Sequence, residues 1–335
     1  MGIGIMGISY ALPSSTVSNQ DLVALHPSWN VGELAVRTGV ELRHVARTGE
    51  TALDLGLRAC EALFADCPQL RGAVRGILFC TESPDYILPP NACVLHGKLG
   101  LDNSVLAFDF NLACSGFVYG LAIVKGLVQT GMGSDMILVC GDTYSKFMHP
   151  DDRAVVSLFG DGVAASWIGQ TTGKGIVDVV CSTAGSEYER FIVPAGGCRM
   201  PRDAQTAVPA LDESGNARSA ENIYMDGMGI LTFVTSKVPR QVRMLLDRNG
   251  LKVTDIDLFV FHQASALVLD SLTRLLHLST EQVYRNLSQV GNTVSASIPI
   301  ALKDASDQGL IHTRSRVLVS GFGVGLSWAT AILEY

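Results

Sequence analysis

Two pairs of apolar runs recur at one spacing along the chain, and this repeat constrains the fold more than any other feature of the sequence. The run ILFC at 77–80 matches LFVF at 258–261 after a shift of 181 residues. ILVCGD at 137–142 matches VLVSGFG from 317 at nearly the same shift. A repeated interval of this kind predicts duplicated halves. We expect the two halves to occupy residues 1–171 and 172–335.

Strand and helix patterns alternate in both halves. Apolar runs typical of buried strands occur at 76–80, 136–140, 258–261 and 317–320. Helical periodicity occupies residues 51–64, 115–130, 231–249, 266–276 and 298–308. This alternation favours a layered α/β architecture with mostly buried sheets. Residues 196–222 are rich in Gly, Pro, Asp and Ser, and are predicted to form an irregular loop near the boundary of the halves.

Composition excludes several classes of protein. Hydrophobic residues make up 47% of the 335 residues and charged residues 17%, which excludes disordered and coiled-coil chains. A net charge of −7 argues against a nucleic-acid partner. The eight cysteines form no CxxC pair and no zinc-like spacing, so we expect reduced thiols in a cytoplasmic protein without a metal centre. The longest apolar stretch, 117–128, contains Lys125 and is too short to span a membrane, so we expect no membrane association.

The segment AFDFNLACSGF at 107–117 places Cys114 after a short apolar strand and directly before a helical run. The dipole of a helix favours a thiolate at the helix N-terminus, and the thiolate is the nucleophilic form of cysteine. Free cysteine is also among the most buried residue types, so on local grounds Cys114 could equally be an inert core residue. Its small neighbours Ala113, Ser115 and Gly116 favour the nucleophile.

Three further segments place polar groups beside strands or turns. His262 follows the apolar run LFVF and is either a structural residue or a proton or hydrogen-bond donor. Asn292 lies in the turn GNT, where the shift of 181 residues superposes it on Asn111, and its simpler interpretation is a helix cap. The glycines of SGFGVG from 320 would let backbone amides approach a ligand, as in half of an oxyanion hole.

In this order and spacing, LACSGF, FHQA, GNTVSAS and GFGVG resemble the motifs of the 3-oxoacyl-acyl-carrier-protein synthase III family of the thiolase superfamily. RTGVELRH at 37–44, PDDR at 150–153 and LFGDGVAA at 158–165 agree, so the resemblance spans essentially the whole chain. It implies a thiolase-like fold, with duplicated halves in a layered α-β-α-β-α arrangement, and a homodimer. The N-terminal half would carry the nucleophilic cysteine, and the C-terminal half the histidine and the asparagine.

The resemblance implies a catalytic triad of Cys114, His262 and Asn292. Cys114 would take an acyl group from acyl-CoA or an acyl carrier, with the oxyanion held by the backbone N–H groups of Cys114 and Val324. A malonyl group on acyl carrier protein would then lose CO2, and His262 and Asn292 would donate hydrogen bonds to the enolate that attacks the acyl group. No cofactor is implied beyond these thioester substrates, and the implied pathway is fatty-acid or related acyl-chain synthesis.

Two related subfamilies fit worse. A degradative thiolase would carry a second catalytic cysteine in the last glycine loop, but no cysteine follows Cys198. The longer elongating synthases have a second histidine at the position of Asn292.

Arg37 and Arg153 match the family's arginines for coenzyme A and its pantetheine arm. Glu33 stands where family members commonly have a tryptophan that stacks on the adenine, and Trp29 lies one helical turn earlier. Because an anionic residue near nucleotide phosphates is mildly repulsive, the affinity for coenzyme A or its binding pose is expected to depart from the family pattern.

Leu88 lies where the family commonly has a phenylalanine that crosses the dimer interface and limits the acyl chain, which predicts an acyl pocket somewhat roomier than an acetyl-only site. For carrier-protein docking, Arg274 matches a family arginine. The helical segment 236–252 adds the basic residues Lys237, Arg240 and Arg243. Such a basic helical face is also typical of ordinary solvated surface.

Two other classes of function remain open at this point. An acyltransferase could use Cys114 and His262 to move an acyl group onto an alcohol or amine without decarboxylation, and CO2 release from a malonyl donor would distinguish the two reactions. A non-catalytic subunit of a heterodimer would not need the triad. The presence of all three residues therefore argues against it.

Overall fold

The computed structural model describes residues 2–335. Its strands are β1 (Gly2–Ala11), β2 (Thr16–Ser18), β3 (Leu42–His44), β4 (Gly76–Cys80), β5 (Leu106–Phe110), β6 (Met136–Asp142), β7 (Gly162–Thr171), β8 (Gly175–Thr183), β9 (Phe191–Ile192), β10 (Ala210–Leu211), β11 (Ala217–Arg218), β12 (Tyr224–Met225), β13 (Leu258–Phe261), β14 (Arg316–Gly323) and β15 (Ser327–Glu334). Its helices are α1 (Asn19–Leu25), α2 (Val31–Thr38), α3 (Ala52–Asp66), α4 (Leu70–Ala73), α5 (Asn91–Lys98), α6 (Gly116–Gln129), α7 (Arg153–Val156), α8 (Gly227–Arg248), α9 (Ala266–Leu276), α10 (Leu287–Val290) and α11 (Ser297–Asp307).

The main sheet repeats one topology twice. Its strand order is β13-β14-β15-β8-β1-β7-β6-β4-β5. In the first half β4 is parallel to β5 and β6, while β7 is antiparallel to β6 and β1. In the second half β13 is parallel to β14, and β15 is antiparallel to β14 and β8. An isolated parallel bridge between Phe259 and Val283 takes the place in the second half that the pairing of β4 with β5 has in the first. The duplication predicted from the repeated runs is therefore confirmed.

Helices separate and cover these two sets of strands. Both α6 and α11 contact strands of the first and of the second half, so they form a central helical layer. On the outer sides, α3 packs on β1, β6 and β7, whereas α8 packs on β8, β14 and β15 with α9 beside it. The layers follow the order α-β-α-β-α, as expected from the sequence. The two sets of strands are joined by one residue pair of the sheet, Ile3 with Gly175. The predicted boundary between the halves, after residue 171, remains a prediction.

The five predicted helices correspond to α3, α6, α8, α9 and α11. Helix α8 begins four residues before the predicted 231, because Asp226 caps it by accepting a hydrogen bond from the backbone N–H of Gly229 at 2.9 Å. Within the segment expected to be an irregular loop, β10 and β11 form a short hairpin. Asp212 stabilises its turn by accepting bonds from the backbone N–H groups of Ser214 and Asn216, both at 2.9 Å. Two-residue strands are too short to give a periodic sequence signal.

Close contact between the central helix and the first-half strands depends on a glycine. A Cβ at Gly116 would lie 2.1 Å from Cys80 Sγ, so a side chain there would push the start of α6 away from β4. This contact fixes where the turn before α6 sits. No helix among residues 2–335 combines the length and the apolarity needed to cross a membrane.

Candidate active site

Cys114 lies in a 3₁₀ turn, Ala113–Ser115, that leads straight into α6. Ala113 has a left-handed backbone with φ of 40°, so the chain bends sharply immediately before the cysteine. The side chain of Cys114 is 3% exposed, and Ser115 hydrogen bonds Ser327 Oγ at 2.7 Å. The predicted position at the N-terminal end of a helix is thus where the sulfur is found.

The resting sulfur is a thiol. Burial raises the pKa of Cys114 above its ordinary value, and the nearby carboxyl groups of Asp142 and Glu82 raise it further. The dipole of α6 acts in the opposite direction, because it favours the thiolate. Cys114 must therefore lose its proton during the reaction, because the thiolate is the nucleophile.

The second half repeats the same turn. Val294 has a left-handed φ of 53°, and the 3₁₀ turn Val294–Ala296 leads into α11. Asn292 occupies the position that corresponds to Asn111, and Ser295 the position that corresponds to Cys114. The Ser295 hydroxyl donates to Asp142 Oδ2 at 2.8 Å, which makes this residue a structural counterpart of the cysteine.

The amide of Asn292 has a fixed orientation. Its Oδ1 accepts a hydrogen bond from the backbone N–H of Val294 at 3.0 Å, and its Nδ2 donates to the carbonyl of Ala264 at 3.3 Å. The carbonyl and the amino group of the side chain are therefore distinguished by their partners. One hydrogen of Nδ2 remains for a ligand. Asn292 does not cap α11, because the N-cap residue of that helix is Ala296 and no side chain caps it.

His262 follows β13 and is 2% exposed. Its backbone N–H donates to Ser320 O at 2.9 Å, and its ring packs edge-to-face on Phe322 with centroids 5.5 Å apart. Nδ1 lies 2.6 Å from Ser297 Oγ. Burial lowers the pKa of His262 to about 3, so the imidazole is neutral at physiological pH. When the Ser297 hydroxyl donates to Nδ1, the single ring proton is on Nε2.

The three predicted side chains meet in one cavity. Cys114, His262 and Asn292 all line a space of about 820 Å³, together with Phe322 and Gly323. The cavity opens where strands β13 and β14 end, next to the turns before α6 and α11. Cys114 of the first half thus faces the same space as His262 and Asn292 of the second half, as the sequence predicted.

The glycine-rich segment lies against the sulfur. A Cβ at Gly323 would be 3.0 Å from Cys114 Sγ and 2.9 Å from its Cβ, so only a glycine permits this approach. Val324 is the next residue, and its carbonyl accepts a hydrogen bond from Ser327 Oγ at 2.6 Å. The role of the Val324 N–H in binding the oxyanion remains a prediction. Val324 directly follows Gly323, the glycine that lies against Cys114.

Arg37 and Arg153 line the outer part of the same cavity, as does Glu33. Arg37 Nη1 lies 3.9 Å from Glu33 Oε1 across one turn of α2. Trp29 does not line the cavity; its ring stacks on His26 with centroids 4.0 Å apart. Trp29 therefore does not supply the stacking ring that the resemblance implied at the position of Glu33.

Leu88 and the predicted docking residues lie outside the cavity. Leu88 is 79% exposed in the loop between β4 and α5, next to Ile87 at 99%, and it does not line the cavity, so its contact with an acyl chain remains a prediction. The predicted docking residues are exposed on α8 and α9: Lys237, Arg240, Arg243 and Arg274.

Two acidic residues near Cys114, Asp142 and Glu82, were not predicted from the sequence. Asp142 ends β6 and accepts hydrogen bonds from the backbone N–H of Glu82 at 2.6 Å and from the hydroxyls of Thr81 and Ser295. The Glu82 carboxyl lies beside the side chain of Asn111 and the backbone of Ala113. Burial raises the pKa of Glu82 to about 8 and that of Asp142 to about 6. The signal that the sequence offered for both residues was an acid at or just after the carboxyl end of each of two adjacent parallel strands, where functional groups often lie.

Among residues 2–335, no group of three or more His, Cys, Asp or Glu side chains could hold a metal ion.

Duplicated halves with a cysteine, a histidine and an asparagine around one cavity define a thiolase-fold acyltransferase. Residues 108–185 match a family model described as 3-oxoacyl-[acyl-carrier-protein (ACP)] synthase III, and residues 246–335 match the model of its C-terminal part.

Individual relatives agree with the family models. The chain is 33% identical to a beta-ketoacyl-[acyl-carrier-protein] synthase III of Clostridioides difficile, with 99% of this chain and 98% of the relative covered. A solved 3-oxoacyl-(acyl-carrier-protein) synthase III superposes with a TM-score of 0.98 at 37% identity, with both chains fully covered. The 3-oxoacyl-(acyl-carrier protein) synthase of Burkholderia xenovorans LB400 gives a TM-score of 0.90 at 34% identity, over 100% of this chain and 94% of that one.

The chain therefore belongs to the 3-oxoacyl-[acyl-carrier-protein] synthase III family, and it is a condensing enzyme of the acyltransferase class.

Proposed function

We propose that Cys114 carries the acyl group through the reaction, and that His262 and Asn292 hold the malonyl-derived enolate that attacks it. The observation that carries this proposal is the shared cavity, in which Gly323 lies against the sulfur and the two donors come from the other half of the fold. Each residue keeps the role that the resemblance implied.

In the first step, Cys114 attacks the carbonyl carbon of an acyl thioester. The bond between Cys114 Sγ and the acyl carbon forms, the bond to the donor sulfur breaks, and the thiol proton ends on the departing thiol. The negative oxygen of the tetrahedral intermediate is stabilised by the backbone N–H groups of Cys114 and Val324. His262 is a poor base for this proton, because burial lowers its pKa to about 3.

In the second step, the malonyl thioester loses its carboxylate as CO2, and the electron pair left behind delocalises onto the thioester oxygen. His262 Nε2 and Asn292 Nδ2 donate hydrogen bonds to that oxygen. The carbanion forms a bond with the acyl carbon, and the bond from that carbon to Cys114 Sγ breaks. The product is a 3-oxoacyl thioester, and the released thiolate takes up one proton. A neutral imidazole and an amide keep their donors throughout the neutral pH range.

Simple acyl transfer to an alcohol or amine is favoured less by this site. Transfer needs a base for the incoming hydroxyl or amine, and His262 is a weak one because of its lowered pKa. The Asn292 amide, which is oriented by Val294, is a donor and fits an enolate oxygen.

We further propose a homodimer that works in the cytoplasm in fatty-acid or related acyl-chain synthesis. Tyr86, Ile87 and Leu88 form an apolar loop that is more than half exposed in the single chain, which is what an interface segment requires. Leu88 would reach the acyl chain of the partner subunit, and its size would allow acyl groups longer than acetyl. The eight cysteines are free thiols, in keeping with a reducing compartment.

The proposal is tested in two stages. Intact-mass measurement after incubation with a panel of acyl-CoA and acyl-carrier thioesters should show one added acyl group on the wild type and none on Cys114→Ala. Labelled CO2 should then appear when malonyl-carrier protein is added to the loaded enzyme. Loading of Cys114→Ala, or acyl transfer without CO2 release, would contradict the proposal.

A further inference from the structure

The outer part of the cavity carries nearly balanced charge. Its lining includes three guanidinium groups and four carboxylates, namely Arg37, Arg153, Arg218, Glu33, Asp212, Glu213 and Asp226. Two of the three arginines already have carboxylate neighbours. Arg37 lies beside Glu33, and Arg218 Nη1 is 2.9 Å from the buried Asp152, while its other terminal nitrogen contacts Asp212. Among residues 2–335, Arg153 is the lining arginine without a carboxylate at salt-bridge distance.

The mouth also offers little for a flat base to stack on. One face of the Trp29 ring is stacked on His26, and Trp29 does not line the cavity. Tyr224 lies at the mouth and is 39% exposed, but the Arg218 guanidinium covers one face of its ring at 5.2 Å. The other aromatic lining residues, Phe159, Phe191 and Phe322, are at most 7% exposed.

These features bear on the group that delivers the acyl chain. The nucleotide of coenzyme A carries roughly three to four negative charges at neutral pH, so its binding needs an excess of cations at the mouth. A phosphopantetheine arm on a carrier protein has one phosphodiester and no nucleotide, and the surface of the carrier supplies the remaining binding energy. A charge-balanced mouth suits the second kind of donor.

A basic surface adjoins this mouth. Helix α8 lines the cavity with its first turns, and Lys237 borders a neighbouring shallow pocket that shares Asp226 and Met228 with the cavity lining. Lys237, Arg240 and Arg274 are exposed and have no carboxylate at salt-bridge distance among residues 2–335. Acidic carrier proteins are steered by such a surface, whereas the nucleotide of coenzyme A would have to enter the balanced mouth.

We propose that the acyl donor, like the malonyl donor, is a thioester of an acyl carrier protein, and that the basic surface beside the mouth receives the carrier in both half-reactions. The inference rests on the proposed function of Cys114. In the loading step the acyl carbon exchanges the carrier sulfur for Cys114 Sγ. The proton that the cysteine loses ends on the phosphopantetheine thiol of the carrier.

The test compares one acyl group on three donors: a bacterial acyl carrier protein, coenzyme A and pantetheine, which has neither nucleotide nor protein. Rapid-quench intact mass gives kcat/KM for loading of Cys114. We expect the carrier donor to exceed pantetheine at least about tenfold. The coenzyme A donor should stay within about threefold of pantetheine. A coenzyme A donor more than about threefold better than pantetheine, or a carrier less than about tenfold better than pantetheine, would overturn the inference.

Charge variants separate the mouth from the docking surface. Glu33→Gln combined with Glu213→Gln should raise the coenzyme A to pantetheine ratio about fivefold, and the control Glu281→Gln, outside the cavity lining, should not. Lys237→Glu with Arg240→Glu should lower the carrier to pantetheine ratio at least about tenfold. The control Lys252→Glu, beyond the far end of α8, should keep that ratio. Ratios that do not move in the mouth or docking variants would refute the inference.

The two levels of the proposal fail differently. If none of the three donors adds its acyl mass to Cys114, the proposed function fails. If donors load but coenzyme A is favoured, only the inference about the carrier fails and the condensing function stands.

Discussion

Replacing Gly323 with alanine tests the contact between the glycine segment and the nucleophile. The added Cβ would lie 2.9 Å from Cys114 Cβ and 3.0 Å from Sγ, whereas carbon contacts are relaxed at about 3.5–4.0 Å. The backbone φ of Gly323 lies outside the left-handed region, so the strain comes from this contact alone. One of the two residues must move by about 0.5–1 Å.

We expect two consequences of Gly323→Ala. Overpacking of this kind costs about 1–3 kcal/mol in the free energy of unfolding, measured by urea denaturation. Displacement of a reacting atom by about 1 Å lowers its rate about a hundredfold, so acyl loading of Cys114 should fall by roughly that factor in rapid-quench mass measurements.

Gly126→Ala is the matched control. Gly126 lies on the exposed side of α6, the helix that Cys114 precedes, and an added Cβ there meets nothing within 4 Å. The control should gain about 0.5–1 kcal/mol of stability and load at the wild-type rate. If Gly323→Ala also loads at the wild-type rate with unchanged stability, the glycine does not lie against the working nucleophile and the reasoning fails.

Four further predictions follow from the same site. Asn292→Asp keeps the acceptor for Val294 N–H but loses the amide donor, so CO2 release should fall about a hundredfold while loading changes less than about threefold; an equal loss in both steps would contradict this. Because the folded pKa of His262 is about 3 and the ordinary value is 6.5, the unfolded chain takes up a proton that the folded chain excludes, and stability falls by up to about 1.4 kcal/mol per unit as pH drops from 6 to 4. His262→Gln should lack that component in urea titrations, and identical slopes would refute it. Glu82 has the opposite sign: its folded pKa of about 8 exceeds the ordinary 4.5, so stability falls as pH rises between these values, and Glu82→Gln should flatten the slope measured in the same titrations. Leu88→Phe should shift loading toward shorter acyl groups by about tenfold across a chain-length series, and a wild type already restricted to acetyl would argue against the roomier pocket.

Much of the fold could be predicted from the sequence because its signals are local and occur twice. The runs at 77–80 and 258–261 are buried strands in equivalent places of the two halves, and their shared spacing carries the topology. Cys114, His262 and Asn292 could be singled out because each follows a strand or a sharp turn. Their meeting in one cavity follows from the duplication, which brings the turns before α6 and α11 together.

The acids behind the sulfur and the charge of the mouth could not be predicted in the same way. Glu82 lies in a polar segment after β4, and only the packing of that segment against Ala113 and Asp142 shows that the residue is partly buried. Arg218 lies in the segment expected to be irregular. Its ion pairs with Asp152 and Asp212 arise from a hairpin whose two-residue strands leave no pattern.

Peptide mapping of the loaded enzyme can identify which thiol carries the acyl group, because the chain contains eight free thiols of different exposure. Cys93, Cys181 and Cys198 are exposed, while Cys114 is buried beside Gly323. After incubation with one equivalent of acyl donor, the account predicts the acyl group on the Cys114 peptide alone. It also predicts that the group is lost with CO2 release when malonyl-carrier protein is added. An acyl group on the exposed cysteines, or one on Cys114 that malonyl-carrier protein does not remove, would contradict the account.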